Sequence, residues 1–234
     1  ARVGDQVAGC SGQEAELALQ HLAKFHATWW ESPRLAEMNW IPHANAPIHR
    51  SVQESYRQAW GPFREKFSDK LPDSILETGE RLGKNIYAVQ DRLTEQPQTI
   101  VHGDYRFDNL FFDAPEGAAS LTVIDWQIIS RGRGPYDVGY FMSQSVEPGA
   151  RKAIEMESLR TYHGLLQENG VRGYDFDQCL HDYRLATLYC LVYPVIVGGT
   201  LDLSNERGLA LATAIIERSV AAILDLNAAE LLPK

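Results

Sequence analysis

The sequence predicts a mainly helical fold with a small β-hairpin element set into it. Long stretches before residue 95 and after residue 135 repeat apolar residues at helical spacing, while three short β-rich runs crowd between residues 99 and 127. Strands and helices do not alternate as βαβ units would, which argues against a doubly wound sheet. With 234 residues, 44% hydrophobic and 23% charged, the chain can bury a substantial core as one large or two small domains.

The first helix is expected to open at Ser11, where Ser11 and Glu14 form an S-x-x-E capping box. Leu17, Leu19, Leu22, Ala23, Phe25, Trp29 and Trp30 supply its apolar face, with His26 among its core residues, and Ser32-Pro33 ends it. A loop rich in Pro, Asn and His runs to about residue 50, and further helices are expected near 51–68 and 74–95. Strands follow at 99–102, 109–113 and 121–127, the last two joined by residues 114–120. After "SRGRGP" the chain returns to helix near 136–146, 149–168, 177–198 and 205–226. The uncharged stretch 185–201 falls short of the ~20 residues that span a bilayer. Because it also carries Pro194 and Gly198-Gly199, it reads as a buried helix. Glu206, Arg207, Glu217 and Arg218 read as a solvated helix face.

A net charge of -9 argues against nucleic acid or an anionic membrane as partner. Cys10, Cys179 and Cys190 lack any metal-ligand spacing, as do the scattered histidines, which fits a reducing, cytoplasmic setting with no zinc site.

The chemistry concentrates in "TIVHGDYRFDNLFFD", residues 99–113. With a turn centred on Gly117, Asn109 falls opposite Asp125, Phe111 opposite Val123 and Asp113 opposite Leu121. Opposed side chains have Cβ atoms roughly 4.5–5.5 Å apart, so Asn109 and Asp125 would share one hard cation such as Mg²⁺. Asp104 lies five residues before Asn109, where a carboxylate can accept a proton from a substrate hydroxyl. Asp and Asn are also ordinary turn residues. An aspartate in an apolar strand, however, is costly unless paired or metal-bound. A base and two metal ligands are the minimum set for phosphoryl transfer from a Mg-bound nucleotide.

Residues 102–109, His-Gly-Asp-Tyr-Arg-Phe-Asp-Asn, resemble the H-G-D-x-x-x-x-N catalytic loop of the aminoglycoside phosphotransferase and choline kinase superfamily, which has the protein-kinase-like fold. "VIDWQ" at 123–127 resembles its I-D-W segment, "GPYDVGYF" at 134–141 the Gly/Pro-then-Asp stretch that follows, and "LAKFHATWW" at 22–30 the helix before the loop. The "VIDWQ" ending and the helical C-terminus are similar to the ecdysteroid-kinase-like branch. The resemblance implies Asp104 as catalytic base, Asn109 and Asp125 as Mg²⁺ and nucleotide ligands, and ATP as phosphoryl donor to a small-molecule alcohol. It implies Asp137 as the buried acid bracing the loop, beside a structural His102. Arg106 is a candidate for contact with phosphate or substrate, or a partner for Asp108. Tyr183, Tyr189 and Tyr193 either line an acceptor pocket or form a core stripe.

No strand lysine or phosphate-covering glycine loop is found: Gly132-Arg133-Gly134 comes too late, and Lys24 sits in an amphipathic helix. The expectation is therefore a C-terminal lobe alone, its N-terminal ATP lobe absent. Residues 1–11 would be a remnant of the interlobe hinge, and 12–234 the catalytic lobe, with loop 102–109 and hairpin 109–127. Such a lobe would be weakly active or inactive by itself. The rival readings are a pseudokinase-type binding module and a metal-dependent hydrolase.

Overall fold

A computed structural model of the chain describes residues 1–113, 120–202 and 204–233. Among the described residues eight α-helices carry the fold: α1 (Gly12–Trp29), α2 (Ser51–Phe67), α3 (Asp73–Arg92), α4 (Pro135–Ser145), α5 (Pro148–Glu168), α6 (Phe176–Tyr189), α7 (Val192–Thr200) and α8 (Glu206–Asp225). The predicted capping box opens α1: Ser11 Oγ accepts the Glu14 N–H at 3.3 Å, and Glu14 Oε2 accepts the Ser11 N–H at 2.8 Å. Asn205 caps α8 in the same manner, accepting from the Arg207 and Gly208 N–H groups.

The helix predicted over 177–198 is in fact two. Pro194 has no N–H, and its ring crowds the carbonyl four residues back. That carbonyl belongs to Cys190, where the chain breaks between α6 and α7, and its oxygen accepts from Gln144 Nε2 at 3.0 Å. α7 then lies close on α2, because a Cβ at Gly199 would stand 2.3 Å from the Ala59 carbonyl oxygen. Arg218 corrects a second expectation. It is not on a solvated face but 6% exposed, on the side of α8 that also buries Ile215, Ser219 and Ala222.

The small β element differs from expectation in extent and register. β1 (Arg2–Val3), β3 (Leu110–Asp113) and β4 (Ser120–Val123) form one antiparallel sheet, with β3 central. β2 (Thr99–Val101) pairs with β5 (Ser130–Gly132) in another. β1 and β5 are too short to show a period in sequence. β3 and β4 pair Leu110 with Val123, Phe111 with Thr122 and Phe112 with Leu121, one step from the register expected. Ser120 belongs to β4, so six connecting residues replace seven, and a one-residue change in loop length shifts the ladder by one. The turn placed at Gly117 lies outside the described residues. β4 also stops at Val123, short of the strand expected to reach residue 127.

Two apolar cores flank α4 and α6. One gathers α2, α3, α7 and α8 around Tyr56, Phe63, Leu82 and Ile86. The other gathers α1 and α5 around Leu19, Leu22, Phe141 and Tyr162, and takes in Tyr105, Phe107 and Leu110 from the segment that follows His102-Gly103-Asp104. α4 runs between them with all eleven residues buried, which sets its first turn directly beneath the H-G-D segment. No described helix is long and apolar enough to cross a membrane; the 185–201 stretch is divided between α6 and α7.

Candidate active site

β2 delivers the chain to His102, and Gly103 turns it. Gly103 has φ of 89°, and a Cβ there would lie 2.6 Å from the Ile128 carbonyl oxygen, so a side chain is excluded twice over. Asp137, fully buried in the first turn of α4, holds this turn by its backbone. Its Oδ2 accepts the His102 N–H at 2.7 Å and its Oδ1 the Gly103 N–H at 3.0 Å. His26 Nε2–H donates to the same Oδ2 at 3.1 Å, and the Tyr162 hydroxyl donates to His26 Nδ1 at 2.8 Å. A carboxylate removed from water needs such donors, since an unsatisfied buried charge is highly unfavourable. His26 is the core residue expected from sequence and also a second brace; the only sequence signal for that role is its place in "LAKFHATWW".

His102 is buried and uses both ring nitrogens for positioning. Nδ1 accepts the Asp104 N–H at 3.2 Å, and Nε2–H donates to the Ile124 carbonyl at 2.8 Å. The ring thereby ties the loop to the segment carrying Asp125. Trp126 packs against it, with ring centroids 4.6 Å apart.

Asp104 takes donors on both carboxylate oxygens. The Tyr140 hydroxyl donates to Oδ1 at 2.7 Å, while Arg106 Nε and Asn109 Nδ2 donate to Oδ2 at 3.2 and 3.1 Å. Arg106 also reaches Asp108 at 3.5 Å. Burial opposes the Arg106 charge, but Asp104, Tyr140 and Asp108 beside it hold its pKa above the ordinary value.

The corrected register removes the direct Asn109–Asp125 pair. Asn109 ends the single helical turn Phe107–Asn109, and its carbonyl accepts the Ile124 N–H at 3.0 Å. With Ile124 clipped to Asn109 on one side and His102 on the other, the next residue is placed beside the loop. Asp125 itself has φ of 64°, a left-handed conformation that costs a non-glycine residue ~1–3 kcal/mol and is commonest at functional sites. Among the described residues its carboxylate receives no hydrogen bond or ion pair. Asn109 spends Nδ2 on Asp104, and its Oδ1 accepts no protein donor among the described residues. Two uncommitted oxygen donors on adjacent segments suit a hard cation such as Mg²⁺.

Sequence reasoning did not single out Gln6. Its backbone N–H donates to Asp108 Oδ1 at 2.8 Å, and its Oε1 accepts the Phe107 N–H at 2.8 Å, so this buried residue clamps the turn that ends in Asn109. Arg218 holds the clamp, donating to the carbonyls of Gln6, Val7 and Gln144.

Beside Asp104 opens a cavity of about 240 Å³ that also touches Arg106, Tyr140 and Tyr193 and is closed by Val197, Leu211 and Ile215. A second, of about 280 Å³, adjoins Gly103, Tyr136 and Tyr189, with Tyr193 shared between the two. Tyr189 and Tyr193 therefore border open space, whereas Tyr183 is core and donates to Glu155 Oε1 at 2.6 Å.

The model of the ecdysteroid kinase-like family matches residues 2–172, well over half of the chain. The chain belongs to that family. Among solved structures it is similar to a Ralstonia eutropha protein assigned as an aminoglycoside phosphotransferase, at 18% identity and a TM-score of 0.56, covering 100% of this chain and 71% of that one. It is also similar to a Plasmodium vivax ethanolamine kinase, at 11% identity and a TM-score of 0.51, covering 92% of this chain and 59% of that one. At such identities the likeness establishes the mainly helical lobe of the kinase-like fold. Mouse acyl-CoA dehydrogenase family member 10 is 48% identical over 46 residues, 20% of this family member and 4% of the mouse protein.

Proposed function

We propose that this ecdysteroid kinase-like chain is the catalytic lobe of an ATP-dependent phosphotransferase acting on a small-molecule hydroxyl in the cytoplasm. The observation that carries the reading is the division of labour around residues 102–125. Asp104 is held in place and borders a cavity, while Asn109 Oδ1 and the Asp125 carboxylate accept no protein donor among the described residues.

In the proposed reaction the acceptor hydroxyl lies against Asp104, which takes its proton as the acceptor oxygen bonds to the γ-phosphorus of ATP and the bond to ADP breaks. Asn109 and Asp125 would hold Mg²⁺, which when bound supplies neutralising charge at the nucleotide phosphates. Asp137 and His102 fix the loop, and Arg106 supplies positive charge next to the transferred group. A further lobe carrying a phosphate-covering loop and a strand lysine is required to complete the nucleotide cleft, with residues 1–11 as the hinge toward it. The chain alone is then expected to turn over little.

The test is Asp104→Ala in the full-length protein, assayed by ATP consumption against a panel of hydroxylated small molecules. Transfer should be lost while ATP binding persists. Retained turnover would sink the assignment.

A further inference from the structure

Among the described residues three side chains donate to the Asp104 carboxylate, and one of them comes from outside its loop. Arg106 and Asn109 both bind Oδ2, which fills the two acceptor positions of that oxygen. Tyr140, brought in on α4, donates to Oδ1 alone, leaving one acceptor position there. One turn earlier on the same helix face, the Tyr136 hydroxyl donates to the Gly103 carbonyl at 3.3 Å and shares a hydrogen bond with the Tyr193 hydroxyl. The Tyr140 and Tyr193 rings pack with centroids 4.8 Å apart. One face of α4 therefore grips two successive residues of the turn, Gly103 by its carbonyl and Asp104 by its carboxylate.

We propose that Oδ1 is the oxygen of Asp104 that takes the acceptor proton, and that Tyr140 is the positioning residue that aims it. The inference rests on the phosphotransferase reading. An aspartate carboxylate rotates readily about its last bond. Donors on Oδ2 alone leave that rotation free, whereas a further donor on Oδ1 fixes the plane of the group. The acceptor hydroxyl then approaches the open position of Oδ1, in the cavity that Asp104, Tyr140 and Tyr193 share. Its O–H bond breaks, the proton moves to Oδ1, and the oxygen's electron pair forms the new bond to the γ-phosphorus of ATP as the bond from that phosphorus to the departing ADP breaks, its electron pair leaving with ADP. Tyr140 keeps its own proton throughout: burial first, and then the Asp104 charge, hold its pKa well above the ordinary value.

The experiment compares Asp104→Asn, Tyr140→Phe and the double variant in the full-length protein. Mg·ATP is the donor, and the acceptor is the best alcohol of a panel, or water if none exceeds it. Tyr140→Phe should lower kcat at least tenfold with KM for ATP within twofold, and should add no further loss to Asp104→Asn. Tyr183→Phe, which removes an equally buried hydroxyl from a core partner, should leave kcat unchanged. Wild-type kcat in Tyr140→Phe, or a rise in KM with kcat preserved, overturns the inference alone. Absence of wild-type turnover overturns the phosphotransferase reading and this inference with it. Should Tyr140→Phe fail to fold, 3-fluorotyrosine at position 140 retains the ring and hydroxyl while strengthening the donor. A changed kcat at constant KM then supports the assignment, and an unchanged kcat overturns it.

Discussion

The two halves of the candidate site are built in opposite ways. On the loop side, residues 102–109 have their turn braced from below: Asp137 accepts two backbone N–H groups, His102 uses both ring nitrogens and Asp104 receives three side-chain donors. On the other side, residues 124–128 expose Ile124, Trp126 and Ile128, and the Asp125 carboxylate has no protein partner among the described residues. The difference separates what the fold completes by itself from what it leaves to ligands. A group that must present one orientation is fixed by donors; a group that must bind is held by its backbone and kept free at its tip.

Breaking the braced half should have the largest effect. Asp137→Ala strips the acceptor from two buried N–H groups and from His26, and is expected to cost about 3–5 kcal/mol of stability in urea unfolding. A loss under about 1 kcal/mol would show that the brace is dispensable. Gly103→Ala forces a Cβ into the Ile128 carbonyl at positive φ, with an expected loss of roughly 1–3 kcal/mol read as a lowered Tm.

A smaller effect is expected from pH, through histidines away from the loop at residues 102–109. Burial is the first cause that holds the pKa values of His21, His49 and His181 below 6.5. Their contribution to stability is therefore complete above pH 6.5, where folded and unfolded chains are both neutral. It is lost as pH falls below 6.5, because the unfolded chain takes up protons first. Urea midpoints should decline from pH 7 toward pH 5, and a rise over that range would contradict the sign.

The smallest change in stability should come from the free half. Asp125→Gly relieves a left-handed residue without removing a side-chain hydrogen bond or ion pair among the described residues, so stability should stay within about 1 kcal/mol of wild type. The same variant should lose Mg²⁺-dependent nucleotide binding in the full-length protein, measured by calorimetry. A large loss of stability there would erase the contrast between the halves.

Much of this contrast was legible in the sequence. The eight-residue segment from His102 to Asn109, the I-D-W segment and the buried-acid position 137 each rest on local residue order, as does the capping box at Ser11. What escaped depends on distant parts of the chain meeting. The hairpin register turns on one residue of loop length, and the break at Cys190 on a proline four residues later. Arg218 lies where charge suggests solvent, yet its donors meet three backbone carbonyls that no side-chain pattern advertises. Tyr140 falls in the fully buried α4, where an aromatic reads as packing, and Gln6 precedes the first helix in a stretch without periodicity.

The Arg218 anchorage has a mechanical consequence. Residues 6 and 7 are bolted to α8 and to the end of α4, and from Gln6 two bonds lead into the turn Phe107–Asn109, one to Asp108 and one to Phe107. Asp108 in turn meets Arg106, which touches Asp104. Tension applied at Ala1 loads the β1–β3 ladder and the Gly4–Leu110 bond first, and then the Arg218 bolt. Were it to slip, the load would pass to the carboxylate through three links, without first unfolding a helix.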